Sequence, residues 1–292
     1  MSNQRFERNL GFLSQPEQER LEGSSVAIAG AGGDGGMLAI QLARMGVGEF
    51  RLADPDPFEV ENINRQAVCT EKTLGVNKAE AVADYIREIN PDAQVRTFTD
   101  GITLENTEEF ARGVDLLIDE TEFTMHALGI MLAREARKNN QPVLTALNIG
   151  FGAMVTTFAP DGKTLEKMLG FKDDEPIDEI AEKEVGLDRW LPFLPNYIDL
   201  KVFEKVAKGE KSAPSIAPGV AIAASLGATQ AFLNLAGTGN RRKAPIYAPK
   251  AMVVDAMTME AKQVKFTRIS HYRHLSGIAL RNALKLNPQA SY

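Results

Sequence analysis

A glycine loop and a polar segment that follows it hold the residues of this chain best suited to chemistry. The loop, Gly30-Ala-Gly-Gly-Asp-Gly35, has the spacing G-x-G-x-x-G. Such glycines let the backbone approach a phosphate, and the helix that follows offers unpaired N–H groups and the positive end of its dipole. Taken alone, the spacing fits NAD, FAD, S-adenosylmethionine or ATP, and also a tight strand-to-helix turn that binds no nucleotide.

The polar segment runs from Asp54 to Gln66 and begins about twenty residues after the loop. In dinucleotide-binding folds a carboxylate at this distance, at the end of the second strand, holds a ribose hydroxyl. The segment then presents clustered polar groups: Asn62, Asn64, Arg65 and Gln66. Arginine recognises phosphate through paired hydrogen bonds. The combination predicts chemistry on the phosphates of a nucleotide rather than on a nicotinamide ring.

Two further side chains are candidates for the same site. Lys78 follows Gly75-Val-Asn near the start of a predicted helix, where the helix dipole does not favour a cation. Two roles stay open for its side chain: phosphate binding and exposure to solvent. Asp119 ends the apolar strand 114–119, and ligands of open parallel sheets lie beyond the carboxyl ends of the strands. A carboxylate there can hold Mg²⁺ beside phosphates, or cap the next helix. Cys69 fits packing better than nucleophilic chemistry.

Apolar runs that alternate with amphipathic stretches predict the elements that position these residues. Strands are predicted at 25–30, 49–54, 94–99, 114–119, 142–147, 152–158 and 251–255, and helices from 14, from the glycine loop to 46, and at 73–89, 104–111, 124–139 and 217–236. This alternation indicates right-handed βαβ units. The predicted fold class is α/β: a Rossmann-like, mostly parallel, doubly wound sheet with additional antiparallel strands and a long insertion.

The rhythm of strands and helices divides the chain into five predicted parts. They are an N-terminal arm and helix (1–24), a nucleotide-binding Rossmann-like domain (25–159), an insertion that serves as substrate lid or dock (160–217), the completion of the core (218–260) and a basic C-terminal tail (261–292). The insertion is acidic and then rich in proline and aromatic residues, and a long irregular segment of this kind is usually functional.

Composition narrows the class of protein. The 292 residues are 44% hydrophobic and 25% charged, with a net charge of −6, which is ordinary for a soluble protein with one large core. The single cysteine excludes an intramolecular disulfide and a CxxC zinc site. Polar residues interrupt the apolar stretch 217–236 too often for a membrane span. Nothing is typical of a nucleic-acid-binding module, so we expect a cytoplasmic protein without membrane span or nucleic-acid partner.

Together these residues resemble the ThiF/MoeB family, whose fold is shared with the ubiquitin-activating enzymes. The resemblance runs from residue 5 to about 158 and resumes around 218–255, roughly two thirds of the chain. Its marks, in chain order, are Arg5-Phe-Glu-Arg8, Gly30–Gly35, Leu42-Ala-Arg-Met-Gly-Val-Gly48, Asp54-x-Asp56, Asn62-Ile-Asn-Arg-Gln66, Gly75-Val-Asn-Lys78 and Asp119-Glu-Thr121. Their joint occurrence in this order is highly specific.

The resemblance implies an adenylyltransferase. It would use ATP and Mg²⁺ to adenylate the carboxyl terminus of a ubiquitin-like or sulfur-carrier protein, or of a peptide, and release pyrophosphate. The implied nucleotide-binding residues are Gly30, Gly32, Gly33, Gly35, Asp54, Asp56, Asn62 and Gln66. The implied catalytic residues are Arg65, Lys78, Asp119, which would also bind Mg²⁺, and Arg8, which would reach the phosphates of the neighbouring subunit in a homodimer.

The sequence also departs from the family pattern. Asp34 stands in the glycine loop where the family usually has an apolar residue, and Phe123 stands where an asparagine is usual. The CxxC zinc pairs of many bacterial members are absent, as is a cysteine after Phe158 of the kind that thioester-forming members carry. We therefore expect adenylation without an enzyme thioester. Two alternatives stay open, a non-catalytic nucleotide-binding scaffold of the same fold and an NAD- or FAD-dependent oxidoreductase.

Overall fold

Eight strands of the described chain make one continuous sheet. They are β1 (Ser25–Ala29), β2 (Glu49–Ala53), β3 (Gln94–Phe98), β4 (Leu116–Asp119), β5 (Val143–Ile149), β6 (Gly152–Phe158), β7 (Lys250–Asp255) and β8 (Glu260–Lys265). The structure is a computed structural model that describes residues 4–190, 195–207, 210–237 and 244–266. The order across the sheet is β3-β2-β1-β4-β5-β6-β7-β8.

Helices cover both faces of the sheet. They are α1 (Gln15–Glu22), α2 (Gly33–Met45), α3 (Lys78–Ile89), α4 (Thr107–Ala111), α5 (His126–Lys138), α6 (Leu165–Leu169), α7 (Ile177–Ala181), α8 (Leu187–Trp190), α9 (Leu200–Ala207) and α10 (Ala217–Leu235). In β1, Val26 and Ile28 enter a core shared with α2, α3 and α10, whereas Ala27 and Ala29 enter a second core shared with α4 and α5. A strand that is buried on both faces is typical of a parallel sheet in α/β proteins.

The strand order creates a crevice at one edge of the sheet. The chain passes from β1 outward to β2 and β3 and then returns to place β4 on the other side of β1. Pairings from β3 through β5 are parallel, and those from β5 through β8 are antiparallel. Open α/β sheets bind ligands where the order reverses, at the carboxyl ends of the strands. The predicted fold class, including the added antiparallel strands, is confirmed.

Helix α3 begins later than predicted. The expected helix was 73–89, whereas the observed one starts at Lys78. The reason is local: the Asn77 side chain accepts hydrogen bonds from the amides of Ala79 and Glu80 at 3.0 and 3.2 Å, which is helix N-capping. Gly75 has φ of +80°, outside the helical region. Lys78 is therefore the first residue of the helix.

Three other elements also differ from the sequence predictions. Helix α4 starts at Thr107 rather than at 104, and the helix predicted from 124 opens with a short 3-10 turn, Phe123–Met125. Strand β8, Glu260–Lys265, was not predicted, because its charged sequence is that of an exposed edge strand rather than a buried one. The predicted boundary between 260 and 261 therefore cuts a strand that pairs with β7. Residues 267–292 of the predicted basic tail lie outside the described residues.

Buried polar contacts fasten the insertion to the core, and two groups of them are prominent. Near its start, the carboxylate of Glu166, which is 0% exposed, accepts hydrogen bonds from Arg134 Nε at 3.0 Å and from Arg137 Nη1 at 3.1 Å. Further along, the Tyr197 hydroxyl accepts from the Phe151 amide at 2.8 Å and donates to Asp255 at 2.9 Å. The two arginines lie on α5, so these contacts tie the insertion to one face and one end of the sheet.

Replacing Glu166 with alanine should destabilise the protein strongly. Removal of one partner from a buried ion pair leaves uncompensated charge and costs about 3–5 kcal/mol. The measurement is the free energy of unfolding in urea. Glu108→Ala is the matched control, because Glu108 pairs with Arg112 at the exposed surface of α4, where such pairs contribute about 0–1 kcal/mol. Equal losses for the two variants would contradict the structural role given to Glu166.

Across the described residues, no helix combines the length and the apolar character that a membrane crossing requires.

Candidate nucleotide-binding site

The glycine loop is shaped by contacts that leave no room for a side chain at Gly30 or Gly35. Gly30 has φ of +92°, and a Cβ atom there would lie 2.4 Å from the carbonyl oxygen of Glu120. A Cβ atom at Gly35 would lie 1.9 Å from the carbonyl oxygen of Gly30. The loop between β1 and α2 is therefore a tight turn, and the amides at the start of α2 stay open towards the crevice.

Asp54 holds this loop in place. Its two carboxylate oxygens accept hydrogen bonds from the amides of Ala31 at 2.8 Å and of Asp56 at 3.0 Å. Asn77 donates to the carbonyl oxygen of Asp54 at 2.9 Å, which joins the start of α3 to the same corner. Burial raises the pKa of Asp54, although the Asp56 amide and the Lys78 charge lower it. The Asp54 carboxylate therefore holds the backbone of the glycine loop, whereas the sequence predicts that it holds a ribose hydroxyl.

Lys78 and Arg65 lie along the same edge. The Lys78 side chain is only 11% exposed, and its Nζ lies 3.0 Å from the Asp56 carboxylate. The Arg65 guanidinium donates to the carbonyl oxygen of Glu61 at 3.1 Å and to the Asn64 side chain at 2.9 Å. Both cations are thus held by neighbouring groups, and the charge of Lys78 acts on Asp54 while that of Arg65 acts on Asp34.

Asn62 and Gln66 face the loop differently. The Asn62 side-chain oxygen accepts from the Glu59 amide at 3.1 Å, so this side chain first of all shapes its own turn. Gln66 is buried against Gly32, where an added Cβ atom would lie 3.4 Å from the Gln66 amide nitrogen. Its side-chain oxygen is buried and has no hydrogen-bond partner within the described residues. A buried polar atom without a partner at a glycine loop points to a ligand.

Asp119 ends β4 next to β1 and lies at the bottom of the crevice. Its Oδ1 accepts from the amide and the hydroxyl of Thr121 at 3.1 and 2.7 Å. Its Oδ2 approaches α5 so closely that a Cβ atom at Gly129 would lie 2.6 Å away. Burial raises the pKa of Asp119, and the Thr121 hydrogen bonds lower it. Oδ1 thus accepts the hydrogen bonds from Thr121, and Oδ2 packs against α5.

Asp34, which the resemblance marked as a departure, is held by Asn148 at the end of β5. Its Oδ2 accepts from the Asn148 amide at 3.1 Å and from the Asn148 side chain at 2.7 Å. Ser215 donates to the side-chain oxygen of Asn148 at 2.9 Å, and Asn64 donates to the carbonyl oxygen of Ser215 at 3.0 Å. These contacts link the glycine loop, the end of β5, the end of the insertion and the polar segment.

The charge of Asp34 should make stability depend on pH. Burial raises the pKa of Asp34 to about 7 from 3.8, against the hydrogen bonds from Asn148 and the Arg65 charge. Since the folded pKa lies above the unfolded one, stability falls as pH rises from about 4 to about 7. Asp34→Asn removes this decline and should gain on the order of 2–4 kcal/mol relative to wild type between pH 4 and 8. Urea unfolding of both proteins without nucleotide measures the free energy of unfolding at each pH. Parallel pH profiles of wild type and Asp34→Asn would contradict the prediction.

Arg8 is remote from the site of its own chain. It lies in a short 3-10 helix, Gln4–Asn9, and is exposed. Asn9 donates to the carbonyl oxygen of Met45 at 3.4 Å, so this helix packs at the carboxyl end of α2. The glycine loop is at the other end of α2, which has 13 residues and is therefore roughly 20 Å long.

Several residues of the site were not predicted as members of it. Asn77, Glu120, Asn148 and Ser215 make the contacts that fix the crevice, and Gly129 admits the Asp119 carboxylate. Asn77 could have been predicted because it is a capping residue before a helix. Gly129 could have been predicted because it is a glycine inside a helix. Asn148 and Ser215 carried no such signal, because only the tertiary fold brings Asn148 to Asp34 and Ser215 to Asn148.

The fold and the crevice define a class, α/β proteins that bind a nucleotide at the switch point of the sheet. Within it, residues 6–274 match the model of the ThiF family. The chain belongs to the ThiF family.

Curated relatives cover different shares of the chain. The tRNA threonylcarbamoyladenosine dehydratase of Bacillus subtilis (strain 168) is 32% identical over 63% of this chain and 81% of its own length. The SAMP-activating enzyme E1 of Haloferax volcanii is 32% identical over 50% of this chain. This chain spans about half, 53%, of that enzyme.

Solved structures support the fold. The crystal structure of E. coli MccB with ATP superposes with a TM-score of 0.67 at 20% identity, and the match covers 92% of this chain and 72% of MccB.

Proposed function

We propose that this chain is a cytoplasmic ATP-dependent adenylyltransferase. It acts on the carboxyl terminus of a ubiquitin-like or sulfur-carrier protein, or of a peptide, releases pyrophosphate, and forms no thioester with the substrate. The observation that carries the proposal is the convergence of the glycine loop, Arg65, Lys78 and Asp119 at one edge of the sheet. Relatives support it: one is named an activating enzyme, and MccB has been crystallised with ATP.

The residues present fit ATP and Mg²⁺. The tight turn of the glycine loop leaves the amides at the start of α2 open to a phosphate, and the unpartnered Gln66 oxygen can accept from a polar group of the nucleotide. Asp119 offers a carboxylate oxygen, the kind of ligand that Mg²⁺ prefers. When bound, Mg²⁺ neutralises charge on the phosphates.

The chain's own residues supply positioning and positive charge. An oxygen of the substrate carboxylate attacks the α-phosphorus, the bond from that phosphorus to the oxygen bridging to the β-phosphate breaks, and pyrophosphate leaves. The substrate carboxylate is already ionised near neutral pH, so no protein base is needed. Arg65, Lys78 and the amides of the loop stabilise the charge that develops on the phosphates. Asp56 orients Lys78 through their ion pair.

ATP–pyrophosphate exchange tests the proposal. Purified protein with ATP, Mg²⁺ and labelled pyrophosphate should form labelled ATP only when a suitable carboxyl terminus is present. The acceptor panel holds ubiquitin-like proteins, sulfur carriers and short peptides. It also holds bulk tRNA, which the name of the Bacillus relative suggests. Exchange that depends on tRNA alone would contradict the proposed acceptor class. ATP binding without exchange on any acceptor would favour the scaffold alternative.

We further propose that Arg8 acts on the phosphates of the partner subunit in a homodimer. In its own chain it lies at the far end of α2 from the loop, and its guanidinium has no hydrogen-bond or ion-pair partner among the described residues. Arg8→Ala should therefore lower exchange by at least about 100-fold, the size of losing one preorganised donor. Truncation of residues 1–10 is a poorer test, because it would also remove Phe6, which is 3% exposed.

A mixing experiment separates the two subunits. Arg8→Ala and Arg65→Ala are each inactive alone in this mechanism. When the two are mixed and allowed to exchange subunits, half of the dimers carry one intact site, so about one quarter of the wild-type activity should return in a twofold-symmetric dimer. If Arg8 acted within its own chain, or if the protein were a monomer, mixing would restore nothing.

A further inference from the structure

One carboxylate of the site has no task in adenylation. Asp34 points its Oδ2 at Asn148, which donates two hydrogen bonds to it. The other oxygen, Oδ1, is closed off from solvent and has no hydrogen-bond partner within the described residues. A fixed acceptor of this kind is costly to leave unmatched, so it points to a donor that arrives with a ligand.

The surroundings of Asp34 are short of positive charge. The positive charge of Arg65 lowers the pKa of Asp34. Burial raises the pKa of the neighbouring Glu120, and the charge of Asp34 raises it further. Within the described part of the chain neither Asp34 nor Glu120 forms an ion pair. A charge on either acid beside a phosphate loop repels ATP and a substrate carboxylate alike. A cationic group that accompanied the substrate would reverse that penalty.

A second metal ion fits this position poorly. Mg²⁺ demands octahedral geometry from several oxygens, whereas Asp34 offers a single free oxygen after the Asn148 contacts. Among the described residues no group of three acidic, histidine or cysteine side chains is arranged to hold a metal. One directional acceptor suits an N–H donor of an ammonium or a guanidinium group.

The location of Asp34 relates it to the acyl substrate rather than to the nucleotide. Its partner Asn148 accepts a hydrogen bond from Ser215, which precedes Ile216, the N-cap residue of α10. Asn64, beside Arg65, also contacts Ser215. Asp34 is thus linked through Asn148 and Ser215 to the segment predicted to dock the substrate, and the charge of Arg65, which is proposed to bind phosphate, also acts on it.

We propose that Asp34 is a specificity-determining residue that pairs with a positively charged group close to the reactive carboxylate of the substrate. The preferred substrates would be peptides or proteins whose last or penultimate residue is lysine or arginine. This inference rests on the proposed adenylation of a carboxyl terminus, and it concerns which carboxyl termini the protein accepts as substrates.

Peptide binding tests the inference separately from turnover. The probes are peptides of one sequence that end in lysine, arginine, leucine or glutamate, titrated by calorimetry into the complex of the protein with a non-hydrolysable ATP analogue and Mg²⁺. Wild type should bind the basic peptides at least about tenfold more tightly than the leucine peptide, the size of one charge-assisted hydrogen bond. Asp34→Asn should erase the preference. It should bind the ATP analogue at least as tightly as wild type, which shows that the variant is folded.

The control and the exchange assay complete the test. Asp84→Asn, on the exposed face of α3, should keep the preference. Equal binding of basic and neutral peptides by wild type, binding of none of them, or a preference that survives Asp34→Asn would each overturn the inference. The exchange assay reports on the reaction: a basic preference in binding without exchange contradicts adenylation and leaves the role of Asp34 standing.

Discussion

Replacement of Arg65 by alanine should lower ATP–pyrophosphate exchange by on the order of 10²–10³, the usual cost of removing one preorganised charge-stabilising donor. The Arg65 guanidinium is held by Glu61 and Asn64 beside the glycine loop, so its charge is placed before the nucleotide arrives. The loss should fall on kcat more than on the KM for ATP, because the charge on the leaving pyrophosphate is largest in the transition state.

Stability should be nearly unchanged by this substitution. Arg65 is partly exposed and lies outside the hydrophobic cores, and such substitutions usually change the free energy of unfolding by about 0.5 kcal/mol or less. Arg87→Ala is the control, because Arg87 also makes local hydrogen bonds, to Asp84 and to the carbonyl oxygen of Val95, at the surface and away from the site. Arg65→Lys tests geometry, since lysine keeps the charge but lacks the paired donors. Full exchange activity in Arg65→Ala would remove the central residue of the proposed mechanism.

Replacement of Gly35 by alanine should abolish nucleotide binding and destabilise the fold. The new methyl carbon would stand 1.9 Å from the carbonyl oxygen of Gly30, a distance that only a rearranged loop can relieve. Because the clash is with backbone, the start of α2 must move away from β1. We expect a loss of about 3 kcal/mol or more in the free energy of unfolding, at the severe end for single substitutions.

The control for Gly35 is a glycine that tolerates a side chain. A Cβ atom at Gly23 would make an ordinary contact of 3.5 Å with the carbonyl oxygen of Glu19, and its φ of −91° suits alanine. Gly23→Ala should therefore leave both stability and ATP affinity close to wild type. Calorimetry with ATP and urea unfolding measure the two properties. A Gly35→Ala protein that bound ATP normally would show that the loop geometry is not needed for binding.

The sequence predicted the fold well where the signals were local. The apolar run of β1, the Ser14 and Glu17 capping pair before α1 and the glycine after α2 each depend on residues close in the chain, and all three elements formed as expected. The start of α3 was predicted too early because the helical spacing of its apolar residues extends past Asn77, whereas the cap and Gly75 set the true boundary.

The candidate site was predictable only in part, for a related reason. The positions of the loop, of Asp54 and of Asp119 follow from their places at the ends of strands, which a parallel sheet brings together. The partner of Asp34 does not follow, because Asn148 lies 114 residues away in sequence. Ser215, which bonds Asn148, lies further away still. Strand β8 was missed because an edge strand needs no apolar pattern.

The hydrogen bonds of Asp54 have a thermodynamic consequence. Because its carboxylate already holds the amides of Ala31 and Asp56, the ordering entropy of this corner is lost during folding and not at the moment of association. A nucleotide would then meet a rigid receptor. The nucleotide should associate at nearly the rate of diffusional encounter. Its affinity should depend on its contacts with the protein and not on a rearrangement of the chain.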